Sequence, residues 1–181
     1  DNGDPDKAKA LLAQTPNSHP AIVFAFSDDP TWQQAAVAVS QALGKAGFTV
    51  VTKPVSAKNY YDETQKVDNQ FDVYWGGWGP DWPSASSVIP PILDGRQITD
   101  GGGNNSLFDD PAVNAEIDRI QAMTDLSQQD TAWAALDKQI MRSVPIIPWV
   151  DPRQVSLYGP GLGGVHTGFI GTCYPLDVYV K

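Results

Sequence analysis

Ala21-Ile-Val-Phe-Ala-Phe26, then Asp29-Pro30, then an amphipathic run to Gly47, then Phe48-Thr-Val-Val-Thr52: this order decides the fold. The first run is short, apolar and bounded by polar residues, which predicts a buried strand. Asp29-Pro30 starts a helix, and Trp32, Ala36, Val39, Leu43 and Ala46 step along it by four and three, giving one buried face. Gly47 ends that helix as a C-terminal cap, and Phe48–Thr52 predicts a second strand. Working outward, Asp4-Pro5 opens a short helix to Leu12, with Asp4 as N-cap and Pro5 at the first helical position. Tyr60 to Lys66 reads as a short helix and Phe71-Asp-Val-Tyr-Trp75 as a third strand. Strand–helix–strand–helix–strand is the mark of an α/β sheet with helices on both faces.

Past Trp75 the pattern changes. Gly76 to about Asp109 reads as a long irregular segment, and such segments inside a compact domain tend to be functional. Asp110-Pro111 starts a helix with Val113, Ile117, Ile120 and Met123 on one side. Ser127-Gln-Gln-Asp130 resembles a capping box for the next helix, with Trp133, Leu136 and Ile140 inward. Pro145-Ile-Ile-Pro-Trp149 and Gln154-Val-Ser-Leu157 read as short extended runs, and a Gly-rich tail follows from Gly159 to Lys181.

The composition sets bounds. With 181 residues, 41% hydrophobic and 18% charged, the chain is long and apolar enough for a real core. A net charge of −9 disfavours nucleic acid as a partner, which needs clustered Lys and Arg. No apolar run approaches the ~20 residues of a membrane span. Asp1-Asn-Gly-Asp opens polar and acidic, without a signal-peptide pattern, and this abrupt start leads to the expectation of a piece of something longer. A single cysteine, Cys173, excludes an internal disulfide.

The loop after the third strand holds the chemistry. Trp75-Gly-Gly-Trp78-Gly-Pro-Asp81-Trp82 packs three tryptophans and one aspartate into eight residues. Glycine keeps backbone open to close approach and proline fixes its direction. Flat aromatic faces beside one carboxylate suit a ligand; the alternative is that the indoles cap a core under a long loop. Other chemistry finds little support. His19 and His166 are far apart and outside any zinc-spaced cluster, so both read as surface or satisfied core histidines, and no metal or cofactor is expected. No Gly-x-Ser-x-Gly elbow occurs. Gly101-Gly-Gly-Asn-Asn105 lacks the Lys-Ser/Thr of a phosphate loop. Asn104-Asn-Ser106 matches a glycosylation sequon only as a short pattern, and Asp109-Asp110 reads as a helix start. A glycosidase would pair Asp81 with a second carboxylate such as Asp62, Asp94 or Asp100, and spacing selects none.

In this order the motifs resemble the C-terminal lobe of family 5 extracellular solute-binding proteins, the dipeptide-, oligopeptide- and nickel-binding components of ABC importers. Asp4-Pro-Asp-Lys-Ala-Lys-Ala-Leu-Leu12 resembles the helix before the second lobe. Gln33 to Gly47 with Phe48-Thr-Val resembles a helix, Leu-x-x-x-Gly, strand unit. Phe71-Asp72 with Gly77-Trp78-Gly-Pro-Asp81-Trp82-Pro83 resembles a Gly-Trp-x-x-Asp-Tyr/Trp loop. Asn104-Asn105-x-x-Phe108-x-Asp110-Pro111 resembles the step into the next helix, and Val144-Pro-Ile-Ile-Pro148 a Val-Pro-x-Ile-Pro strand.

The resemblance implies one lobe of a periplasmic-binding-protein-like type II fold, an α/β domain with a mixed β-sheet. Residues 1–181 would be the C-terminal lobe of a two-lobed protein, with 159–181 returning toward the first lobe. It implies a non-enzymatic protein, extracellular or periplasmic and lipid-anchored, of actinobacterial type. Its partners would be a peptide-like solute, ABC permease subunits and its own N-terminal lobe. In peptide-binding members the loop aspartate, here Asp81, holds the α-ammonium group. Gly77 and Gly79 would pair with the ligand main chain, and Trp78, Trp75 and Trp82 would wall the site. Trp75 stands where some oligopeptide binders carry an arginine, which makes room for an alternative: a cell-envelope glycolipid or sugar-binding lipoprotein not coupled to import. A glycosidase-like hydrolase and a protein-interaction module anchored by tryptophans are the further alternatives.

Overall fold

The structure is a computed structural model that describes residues 3–15, 21–150, 155–168, 171 and 173–181; His19 and Gln154 lie outside them. The chain divides into two units, Asp1–Gly77 with Thr99–Gly101, and Trp78–Ile98 with Gly102–Lys181.

In the first unit α1 (Pro5–Leu12) is capped as expected, Asp4 Oδ1 accepting from Lys7 N at 2.9 Å. The centre is β1 (Ile22–Ser27), flanked by β2 (Val50–Val55) and β3 (Val73–Tyr74) in the order β2-β1-β3, all parallel. Phe24, Ala25, Phe26 and Ser27 are buried in succession. Successive side chains point to opposite faces, so both faces of β1 are covered. The helices that cover it are α2 (Pro30–Lys45) and α3 (Tyr60–Thr64). Their crossovers leave in opposite directions, and the right-handed rule for parallel connections places them on opposite faces.

Boundaries differ from expectation for a local reason. Gly47 N–H bonds Gly44 O, and Phe48 N–H bonds Leu43 O at 3.1 Å, with Gly47 at φ 102°. This Schellman cap consumes Phe48, so β2 starts at Val50 rather than Phe48. Pro54 is tolerated inside β2 because β2 is an edge strand among the described residues. The third strand is only Val73–Tyr74, locked at its start by Asp72, whose Oδ2 accepts from Val23 N at 2.7 Å.

The second unit is helical. α4 (Ile89–Leu93), α5 (Pro111–Gln121) and α6 (Leu126–Ile140) bury Ile89, Leu93, Val113, Ile117, Ile120, Trp133, Leu136 and Ile140 together. The expected irregular segment thus contains α4 and two 3-10 turns, Ala85–Ser87 and Gly95–Gln97. Pro90 and Pro91 look like breakers but sit in the first turn of α4, where no helical N–H is lost. Asp110 caps α5 as expected, accepting from Ala112 N at 2.8 Å. The cap of α6 is corrected: Asp125 Oδ1 accepts from Gln128 N at 3.0 Å, and Ser127 already lies inside the first turn. Pro145–Trp149 pairs with no strand among the described residues, since two prolines remove ladder donors. In the tail, β4 (Leu162–Gly163) pairs antiparallel with β5 (Tyr179–Val180) as a separate sheet, so the α/β fold holds as expected but its three-stranded sheet is parallel throughout rather than mixed.

Candidate ligand-binding loop

The first unit presents its carboxyl-end loops in a group. In parallel α/β sheets, ligands bind outside the carboxyl ends of the strands. The chain leaves β3 there as Trp75-Gly-Gly77, and it leaves β1 there toward Trp32 in the first turn of α2. The Trp32 and Trp75 rings lie 5.3 Å apart at 41°. Trp75 also meets Phe24 edge-on, with centroids 5.4 Å apart, beside Val73 and Phe26. Period two places it with Val73 on the core side, and it remains half-buried. The buried Tyr60 hydroxyl fixes its backbone: it accepts from Trp75 N at 2.8 Å and donates to Trp75 O at 3.1 Å. Burial pushes the Tyr60 phenol well above its ordinary value. Trp32 is the residue that the sequence reading placed wrongly: it counted toward a buried stripe, yet it is 36% exposed at a helix start.

In the second unit, Trp78 and Trp82 stand 45% and 50% exposed. Both indoles are braced from below. Trp78 Nε1 donates to Ser87 O at 2.8 Å, and Trp82 Nε1 to Ser86 Oγ at 2.9 Å. The buried Ser87 hydroxyl ties back to Trp82 O and Ser84 O. The Ser84–Ser87 run, unassigned by sequence, is therefore the scaffold of the loop. Gly103 serves it too: a Cβ there would stand 2.9 Å from Trp78 Cζ3. Asp81 is exposed, and its carboxylate makes no ion pair among the described residues.

Gly77 and Gly79 behave differently from Gly103. Neither has a left-handed φ, and a Cβ built on either meets no atom within 4 Å. The fold itself does not call for glycine at these two positions.

Other candidates are occupied elsewhere. Asp94 is buried in an Arg96 fork, with Oδ2 2.7 Å from Nη2, and Arg96 also reaches Asp118. The Arg96 hydrogen bonds hold the Asp94 carboxyl below its ordinary range, which unfits it as a general acid. Asp100 accepts from Val67 N, and Asp109 from the Asn114 side chain. Asn104 is buried and bonds Asp94 O, Phe108 O and Phe108 N, so the sequon amide is a structural clamp. His166 lies at the surface between Gly164 O and Asp177 Oδ2, both at 3.1 Å. No group of three metal-ligating side chains forms among the described residues.

Known proteins share this architecture. The probable D,D-dipeptide-binding periplasmic protein DdpA of Escherichia coli is 25% identical over 141 residues, covering 77% of this chain and 27% of that protein. The clavulanic acid biosynthesis oligopeptide binding protein 2 superposes with a TM-score of 0.86 at 25% identity, over 98% of this chain and 34% of that one. The Escherichia coli murein tripeptide binding protein MppA shares the fold with a TM-score of 0.81 at 22% identity, over 97% of this chain and 34% of its own. The chain thus spans about a quarter to a third of the length of these relatives. The profile of bacterial extracellular solute-binding proteins, family 5 middle region, matches residues 1–100 of the 181. With more than half of its length matched, the chain belongs to the family 5 bacterial extracellular solute-binding proteins.

Proposed function

We propose that this chain is the C-terminal lobe of the substrate-binding component of an ABC importer, and that the loop Trp75–Trp82 meets a peptide-like solute. The observation that carries this reading is the pair of open glycines. Neither Gly77 nor Gly79 has a positive φ, and empty space lies where a Cβ would be. A need for bare backbone at such positions comes from a molecule that approaches closely, and an extended peptide pairs with bare backbone by strand-like addition. Asp81 then supplies an unpaired carboxylate for an α-ammonium group through a charge-assisted bond. Trp78 and Trp82, with their N–H groups already bonded below, offer fixed flat walls. The peptide-related names of DdpA and the oligopeptide binding protein point to the same ligand class. The role is binding rather than catalysis, and the site of action is extracellular or periplasmic, with a lipid anchor on the full-length protein. Native mass spectrometry of that protein tests the reading. A retained ligand with a free amine and peptide bonds is the expected result; a retained sugar or glycolipid would overturn it.

A further inference from the structure

The second unit carries a trough that begins at Pro80 of the ligand loop and leads toward α6, with Asp81 outside its lining. It runs between the segment Pro80–Ile89 and one face of α6 as an open groove of about 580 Å³, lined by Pro80, Pro83, Val88, Trp133 and Ala134 among others. Asp130 and Asp137 stand at its edge on α6. They lie two turns apart, about 10 Å along the helix, with Ala134 between them on the same face. Both carboxylates are exposed, and neither pairs with a Lys or Arg among the described residues. Trp133 is 2% exposed, and its Nε1 is buried with no hydrogen-bond partner. An apolar slot and two acids without a basic partner therefore lie together.

We propose that this trough docks a protein segment in which a large apolar side chain lies between two basic ones. The apolar side chain would fill the slot between Pro83, Val88 and Ala134. The two cations would meet Asp130 and Asp137. Charge complementarity selects the occupant. A second copy of this chain, at a net charge of −9, is disfavoured, as is an anionic lipid surface or a nucleic acid.

The probe is a capped, Ala-rich helical peptide with two Arg two turns apart and Leu between them. Capping removes the free α-amino group, and repeating the titration on Asp81→Asn removes the loop carboxylate that the probe's Arg could reach, so the result is independent of the proposed solute site. The protein is labelled at its indole nitrogens and titrated by NMR at low salt. The peptide is expected to bind and move the Trp133 indole resonance. Asp130→Asn with Asp137→Asn should weaken it about fivefold, the worth of two exposed ion pairs. Ala134→Arg should abolish binding by filling the slot with like charge. A peptide with Glu in place of Arg should not bind. Absence of binding at millimolar peptide, equal affinity for the double variant, or a response that leaves Trp133 unmoved would each overturn the proposal.

Discussion

Tyr60 and the two loop glycines have opposite relations to the fold. The Tyr60 hydroxyl satisfies both backbone groups of Trp75 from a buried position. Tyr60→Phe removes both hydrogen bonds and should cost about 1–3 kcal/mol, read by denaturant unfolding. Gly77 and Gly79 have no such internal task. Gly77→Ala and Gly79→Ala should change stability by less than about 1 kcal/mol, with a slight gain from reduced unfolded-state freedom. In the full-length protein the same substitutions should weaken solute binding by calorimetry, because a methyl group then holds the ligand main chain away. Unchanged affinity in both variants would remove the close-approach role. At this scale the sequence was a mixed guide. Trp78, Asp81 and Trp82 were visible from their spacing. Trp32 was not, since its place on the helical stripe hid its place beside the carboxyl end of β1.

Helix caps and the Arg96 fork carry the element-scale expectations. Asp125 caps α6, while Ser127 lies within the first turn. Asp125→Ala should cost about 1 kcal/mol and Ser127→Ala only a few tenths, and the reverse order would restore the Ser127 cap. The Arg96 fork adds a pH dependence. Its hydrogen bonds hold the carboxyl of Asp94 below the usual carboxylate range, and Asp118 is lowered by the same partner. A depressed carboxylate contributes stability above its unfolded value and loses it as pH falls through the folded value. Arg96→Gln should therefore lower the melting temperature near neutral pH, with the gap to the parent closing below about pH 4. A gap that stays constant into acid would show that the fork acts by packing alone. Among the long helices, α2 and α5 were legible because each joins an apolar face to an Asp-Pro start, and α6 from its apolar face alone, since its Asp125 cap was not read. The short ones were not: α4 has five residues and begins with prolines, and a pattern so brief has no periodicity to read. Strand ends failed where a cap took a residue, as Phe48 shows.

For the molecule as a whole, the three-stranded parallel sheet and the helical unit each have their own core. The family assignment was readable from five ordered motifs, although the Val144–Pro148 motif forms no paired strand among the described residues. Ile147, Val155, Leu157 and Leu176 are 78%, 81%, 94% and 98% exposed. Apolar groups in that number suit a chain that works within a larger protein. A full-length protein should accordingly bind solute far more tightly than residues 1–181 alone, and comparable micromolar affinity for both by calorimetry would contradict the one-lobe reading. The most direct test of the account is a calorimetric comparison of Asp81→Asn with the unmodified full-length protein, using a short peptide with a free amine and its N-acetylated form. Ligand held between two lobes would bury the Asp81–ammonium pair, and loss of one partner in such a pair costs about 2–5 kcal/mol, or roughly thirtyfold and more in affinity. The account predicts that loss for Asp81→Asn with the free peptide, a similar loss for the acetylated peptide on the unmodified protein, and little further loss when both changes are combined. Full affinity of Asp81→Asn for the free peptide would contradict it.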